Sequence, residues 1–282
     1  MRPHSLVYLG TPAMSVPPLR ALHAAGFDIR LVVTNPDTRR GRGGRTAPSP
    51  VKAAAVDLGI PVSHTVDDVL DAGADLGVVV AFGRIIRPHV LAELPMVNLH
   101  FSLLPRWRGA APVERAILAG DERTGVDLMV VEEGLDTGAV HARAELDIGP
   151  DETAEELRAR LVGAGTELLV STLQSGLGEP TPQVGEPEYA HKLGPDDLHI
   201  DWDAPAEQIH RQVRVGGAWT TLAGERFKVW RTSLHPGGDG VVHPTGTTPI
   251  ELLEVQPAGK ARMAASAWAN GARWSDGDRL GT

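Results

Sequence analysis

The chain of 282 residues has no cysteine, so it carries no disulfide framework and no thiolate chemistry, and cysteine usage leaves the redox compartment open with the cytoplasm as the default. No stretch approaches the roughly 18 consecutive apolar residues that a membrane span needs, and no membrane partner is expected. Met1-Arg2-Pro3-His4 passes straight into a strand pattern without a signal-peptide core. Gly-x-Gly-x-x-Gly and Gly-Lys-[Ser/Thr] loops are both missing, which disfavours dinucleotide dehydrogenases and P-loop NTPases. His-Glu-x-x-His and Gly-x-Ser-x-Gly are missing as well, leaving metal and serine-hydrolase chemistry without support. Positive charge is also short. The formal net charge of −9 excludes a wholly basic nucleic-acid surface, so such a partner must use a local patch. One exists in Arg39-Arg40-Gly41-Arg42-Gly43-Gly44-Arg45, with Lys52 just beyond. It is either a solvated surface run, the ordinary fate of such charges, or a mobile clamp on a nucleic-acid partner, and its interleaved glycines favour mobility.

What is present fits a soluble globular protein, 42% hydrophobic and long enough for a catalytic domain plus a small one. Ser5 to Gly10 reads as a buried strand, and Thr11-Pro12 can start a helix running to about Ala25. Ile29 to Thr34 and Leu76 to Ala81 are further strands, the latter a continuous apolar run typical of a parallel sheet covered on both faces. Helical patterns over Pro50 to Leu58 and Val66 to Ala72 complete the alternation of a doubly wound, Rossmann-like α/β domain with a mostly parallel sheet. Pro112 to Ala119 should be helical, with strands near Gly125 to Val131 and Ala139 to Leu146 separated by a turn at Glu132 to Gly138. A long packing helix follows from Asp151 to about Gln174, with acids in its first turn. Gly176 to Pro187, rich in Gly, Pro and Glu, suggests an extended linker over the surface. Beyond it, a short helix over Ala206 to Val213 and alternating strands at Trp219 to Leu222, Arg226 to Trp230 and Ile250 to Val255 suggest a small β-barrel. The expected division is 1–186 for the catalytic domain, 187–205 for a linker and 206–282 for the C-terminal domain.

The chemistry concentrates at Asn98-Leu99-His100-Phe101-Ser102-Leu103-Leu104-Pro105. In a strand, residues two apart share a face, so Asn98 and His100 point the same way. A donor amide beside an imidazole that can donate, accept or change charge makes a plausible oxyanion and proton-transfer pair. Either residue alone is ordinarily a satisfied loop neighbour. The pair is followed thirty-six positions after His100 by Asp136 in Leu135-Asp136-Thr137-Gly138.

This combination resembles the folate-dependent formyltransferases, and Ser102-Leu103-Leu104-Pro105-Arg106-Trp107-Arg108-Gly109-Ala110-Ala111-Pro112 resembles the methionyl-tRNA formyltransferases among them. Gly10-Thr11-Pro12, the stretch from Pro36 to Lys52, Ile200-Asp201-Trp202, Gly217-Ala218-Trp219-Thr220 and Leu253 to Met263 extend the likeness over nearly the whole chain. The resemblance implies an OB-like C-terminal barrel that binds tRNA. It implies formyl transfer from 10-formyltetrahydrofolate to the α-amino group of initiator methionyl-tRNA, in translation initiation, by a cytoplasmic monomer without a metal. Asn98, His100 and Asp136 would be catalytic. Phe82, Gly83, Ile85, Ser102, Leu103, Leu104, Pro105 and Leu135 would line the folate, and Met14, Arg39, Arg40, Arg42 and Arg45 would meet the aminoacyl-tRNA. Three features depart from the family. Met14 stands where an aromatic residue is usual, the segment before Gly216-Gly217 lacks a proline-containing loop, and the stretch between Trp230 and Ile250 is short by a strand's worth of chain. The alternatives are a formyltransferase acting on a small amine such as a nucleotide-linked amino sugar, which would need no arginine loop, and an inactive tRNA-binding module.

Overall fold

In the computed structural model, which describes residues 2–40, 45–275 and 278–281, the chain divides into two compact units. The first comprises residues 1–112, 123–147 and 158–190. Its strands are β1 (Ser5–Gly10), β2 (Asp28–Val33), β3 (Thr38–Arg40), β4 (Arg45–Ala47), β5 (Val62–Ser63), β6 (Leu76–Val80), β7 (Met96–His100), β8 (Arg108–Gly109), β9 (Arg123–Val130), β10 (Val140–Asp147) and β11 (Tyr189–Ala190). The helices are α1 (Val16–Ala24), α2 (Pro50–Asp57) and α3 (Pro88–Glu93), each with proline at its first turn, where a missing N–H costs nothing. Of the remaining helices, α4 (Pro112–Ala119) belongs to the second unit from Val113 on, and α5 (Ala154–Ser175) belongs to the first from Arg158 on.

The main sheet runs β10-β9-β7-β6-β1-β2-β5. Five strands are parallel, and β9 and β10 close one edge as an antiparallel pair. All of β1 and β6 is buried, as continuous apolar runs covered on both faces must be. Because β2 lies on one side of β1 and β6 on the other, the chain reverses its winding between β1 and β6, and ligands on such sheets bind at the carboxyl ends of these strands. The residues there are Gly10, packed so closely that a Cβ would lie 2.9 Å from Ser15 Cβ and 3.0 Å from Val80 O, and Ala81, which has φ +44°.

Two expectations fail here. Residues 66–72 are not a helix but a single 3-10 turn over Asp67–Val69. The Ser63 hydroxyl donates to Asp68 while Val66 and Val69 are drawn into the core beside Val7, Leu9 and Phe82, so tertiary packing overrides the local pattern. The segment 176–187 is extended, as its composition suggests, but it is no free linker. Thr181 and Val140 exchange both backbone hydrogen bonds at 2.8 Å, and Gln183 is tied to the turn that carries Asp136.

The second unit comprises residues 113–122, 148–157 and 191–282, with α6 (Ala206–Val215), β12 (Trp219–Leu222), β13 (Glu225–Ser233), β14 (Val241–His243), β15 (Ile250–Gln256), β16 (Met263–Ala264) and α7 (Ala265–Ala272). Its antiparallel sheet is ordered β12-β13-β15-β14, with β16 also on β15. Alternation along β13 buries Phe227 and Val229 against Ile209, Val213 and Trp268 and turns Arg226, Lys228 and Trp230 outward. In the stretch between Trp230 and Ile250, β13 runs on to Ser233 and β14 follows it. The intervening glycine loop is held by buried Glu251, which accepts from the N–H groups of Gly237, Gly238 and Gly240. No helix of the described residues is long and apolar enough to cross a membrane.

Candidate active site

Asn98 and His100 stand at the carboxyl end of β7, which pairs in parallel with β6 and antiparallel with β9. Alternation puts both on one face, as the sequence pattern requires. Asn98 is half-buried, and among the described residues its side-chain amide has no hydrogen-bond partner, leaving two donors and an acceptor for a ligand. His100 is 5% exposed. Its Nε2 lies 3.0 Å from Trp107 O, and because a carbonyl only accepts, Nε2 carries the proton. The nitrogen left free to accept is therefore Nδ1, and it faces Asp136 Oδ2 at 3.7 Å. Asp136 is 15% exposed at its side chain and has φ +52°, a left-handed conformation that few non-glycine residues adopt. Its Oδ2 accepts from Gly109 N at 2.8 Å, and Gln183 Nε2 donates to the carbonyls of Asp136 and Gly138. Gly138 admits no side chain, since a Cβ would sit 2.0 Å from Val130 O.

The loop after β7 forms the next wall. Ser102 is fully buried, with its hydroxyl donating to Arg106 O at 2.6 Å, and Leu104 is 3% exposed, so both shape the loop from within. Leu103 and Pro105 are half-buried and present surface. The loop is clamped from below by Asp127, which is fully buried on β9. Asp127 accepts from Leu104 N at 2.9 Å and from Arg143 Nε and Nη2 at 2.7 and 2.6 Å, while Arg143 Nη2 also donates to Leu104 O. Donating hydrogen bonds to Asp127 pushes the pKa of the Arg143 guanidinium above its ordinary value. Sequence reading missed this pair, as it missed Gln183 and the Trp107 carbonyl, because each acts through contacts that no local spacing encodes.

After β6, Phe82 is buried under the guanidinium of Arg84, 5.4 Å from the ring centroid. Gly83 is exposed with φ +74°. Ile85 is 89% exposed and Leu135 60% exposed, a pair of large apolar side chains open to water of the kind a planar ligand covers. Met14 lies half-buried in the 3-10 turn Ala13–Ser15 before α1. Arg39, Arg40 and Arg45 fall in the β3–β4 pair, and Arg42 lies outside the described residues. Among those residues no group of His, Cys, Asp or Glu is arranged to hold a metal ion.

A model of the formyl transferase family matches residues 6–173, and one of the formyl transferase C-terminal domain matches residues 192–273. The chain is 42% identical to a methionyl-tRNA formyltransferase of Heliobacterium modesticaldum over 98% of its own length and 99% of the relative's. Among solved structures, a methionyl-tRNA formyltransferase from Clostridium thermocellum superposes with a TM-score of 0.65 at 18% identity, covering 91% of this chain and 99% of that one. An N-formyltransferase from Helicobacter canadensis in complex with folinic acid and dTDP-3-aminofucose superposes with 0.66 at 18% identity, covering 88% of this chain and 98% of that one. The two structures share the fold. The end-to-end identity with the curated relative goes further, and with both family models matched in order it shows that the chain belongs to the methionyl-tRNA formyltransferase family.

Proposed function

We propose that the protein transfers the formyl group of 10-formyltetrahydrofolate to the α-amino group of initiator methionyl-tRNA, with Asn98, His100 and Asp136 as its catalytic residues. The observation that carries this reading is the end of β7, where an unpartnered amide and an imidazole committed at Nε2 share a face beside a carboxylate. The folate supplies an electrophilic formyl carbon. The Asn98 amide donates to the formyl oxygen as negative charge develops there, a contribution that is strongest when the donor is preorganised. The amine nitrogen bonds to the formyl carbon and the carbon's bond to N10 of the folate breaks. His100, which already bears a proton at Nε2, can accept a second only at Nδ1, Asp136 stabilises the imidazolium that results, and the proton lost by the amine passes to N10 as tetrahydrofolate departs. In this reading the folate ring lies against the backbone of residues 81–86 and the turn around Asp136, with the exposed side chains of Ile85 and Leu135 and the half-buried Leu103 and Pro105 offering apolar surface to it.

Residues 39–45 are the acceptor-stem clamp in this reading, and 206–282 the tRNA-binding domain. The domain's outer face supports it. Arg226 lies over Trp219 at 4.1 Å, and Arg262 and Lys228 over Trp230 at 3.3 and 5.4 Å, a set of cations and indoles suited to phosphates and unstacked bases. The protein acts in the cytoplasm as a monomer and needs no metal. Incubation with 10-formyltetrahydrofolate and charged initiator tRNA, following formyl-methionine, tests the activity. Formylation of a nucleotide-linked amino sugar in place of the tRNA would refute it. A parallel Arg42→Ala variant should raise KM for the tRNA and leave folate binding intact.

A further inference from the structure

We infer that Gln183 is a positioning residue for formyl transfer, acting through the backbone of the turn that presents Asp136. The inference rests on the catalytic role proposed above for Asp136 and adds a residue that lies outside the sequence motif. Every hydrogen-bonding group of its amide is engaged. Nε2 donates to Asp136 O and to Gly138 O, both at 2.8 Å, and Oε1 accepts from Arg108 Nε at 3.1 Å and Nη2 at 2.6 Å. The orientation of the amide is forced, because carbonyls only accept and a guanidinium only donates. Arg108 in turn belongs to β8, whose next residue, Gly109, gives its N–H to the Asp136 carboxylate. Gln183 thus links both ends of the contact that sets the carboxylate: the turn behind Asp136 and the strand that holds Oδ2.

Such a brace is needed because Asp136 occupies a left-handed backbone conformation, which persists in a non-glycine residue only where surrounding contacts over-determine it. The segment that carries Gln183 is itself fixed, two residues earlier, by the reciprocal backbone bonds between Thr181 and Val140. Without the two donors the turn can relax, and the carboxylate then leaves its place 3.7 Å from His100 Nδ1.

The full-length protein distinguishes this role from simple anchoring of the segment. Gln183→Glu preserves size and strengthens the attraction to Arg108, yet it replaces two N–H donors by an oxygen facing two carbonyls. Gln183→Met removes all four bonds without adding charge and serves if the glutamate variant does not fold. We expect either variant to lower kcat by ~10- to 100-fold, the scale on which small misplacements of catalytic groups act, with KM for both substrates within about threefold of wild type if ground-state binding is untouched. In an Asp136→Asn background the same substitutions should change kcat by less than about twofold, since residues acting as a unit are non-additive. Wild-type kcat in a folded Gln183→Glu protein, or an equal loss with and without the Asp136 carboxylate, would overturn the inference. Wild-type turnover of Asp136→Asn alone would instead overturn the catalytic assignment on which it rests.

Discussion

Mild acid should loosen the second unit through one buried histidine. His243 on β14 is 2% exposed. Its Nδ1 donates to Pro244 O at 2.8 Å, its Nε2 accepts from Leu280 N at 3.1 Å, and its ring lies 4.0 Å from that of Trp202. A second proton on Nε2 would turn the acceptor into a donor aimed at another N–H. Burial, with Arg279 as a lesser contributor, accordingly lowers its pKa from 6.5 to about 4. Between those values the unfolded chain binds the proton and the folded chain does not, so the stabilisation is complete above about pH 6.5 and is lost as pH falls. At one pKa unit per ~1.4 kcal/mol the full effect is ~3 kcal/mol, of which ~2 kcal/mol is gone by pH 5. His210, lowered in the same direction by its own burial, adds to the slope, whereas Glu156, lowered to about 2, and Asp75, also lowered, act only in more acidic solution. The assay is urea unfolding followed by tryptophan fluorescence, to which Trp202, Trp219, Trp230, Trp268 and Trp274 contribute from this unit and only Trp107 from the other. His243→Gln removes the titrating group and should flatten the loss between pH 7.5 and pH 5 by ~2 kcal/mol. Parallel pH profiles for the variant and the wild type would refute the argument.

Three further outcomes follow from the geometry. Asn98→Ala should lower kcat by ~10²- to 10³-fold, the usual loss of one oxyanion donor, with an unchanged far-ultraviolet circular dichroism spectrum; wild-type turnover would remove Asn98 from the mechanism. Asp127→Ala should cost ~3 kcal/mol in chemical denaturation, because it strands the Arg143 guanidinium and the Leu104 N–H that the buried carboxylate now satisfies; a loss below ~1 kcal/mol would mean that water takes its place. Arg262→Ala should weaken tRNA binding in a filter assay and reduce the slope of log K against log salt by about one, and an unaltered slope would place Arg262 off the nucleic acid.

How much of this fold could be read from the chain depends on where each element's signal resides. The runs Ser5–Gly10 and Leu76–Val80 are strands wholly buried in the sheet, and their uninterrupted apolar character states this directly. Pro50 marks the start of α2 equally well, whereas Thr11-Pro12 leads into a 3-10 turn with α1 beginning only at Val16, and sequence reading missed α3. Residues 66–72 mislead because a seven-residue apolar spacing is shared by a helix and by a turn that drops two valines into the core. The second unit's β14 was hidden for the opposite reason. Its flanks are Gly and Pro, and what fixes the glycine side is Glu251, more than ten residues downstream, accepting three backbone N–H groups.

The candidate site divides along the same line. Asn98 and His100 are legible because one strand places them two apart, and period-two geometry needs no knowledge of the rest of the fold. Asp136 is visible only by its place in a familiar residue string, since the register of β7 against β9 and the turn between β9 and β10 bring it to His100. Gln183 has neither signal. It sits in a stretch whose Gly, Pro and Glu content reads as a linker, and its amide matters only because Thr181 pairs with Val140 on β10. Composition reports how readily a segment would move if nothing held it. Whether something does hold it is decided by partners forty or more residues away, and here those partners are the carbonyl groups of residues 136 and 138.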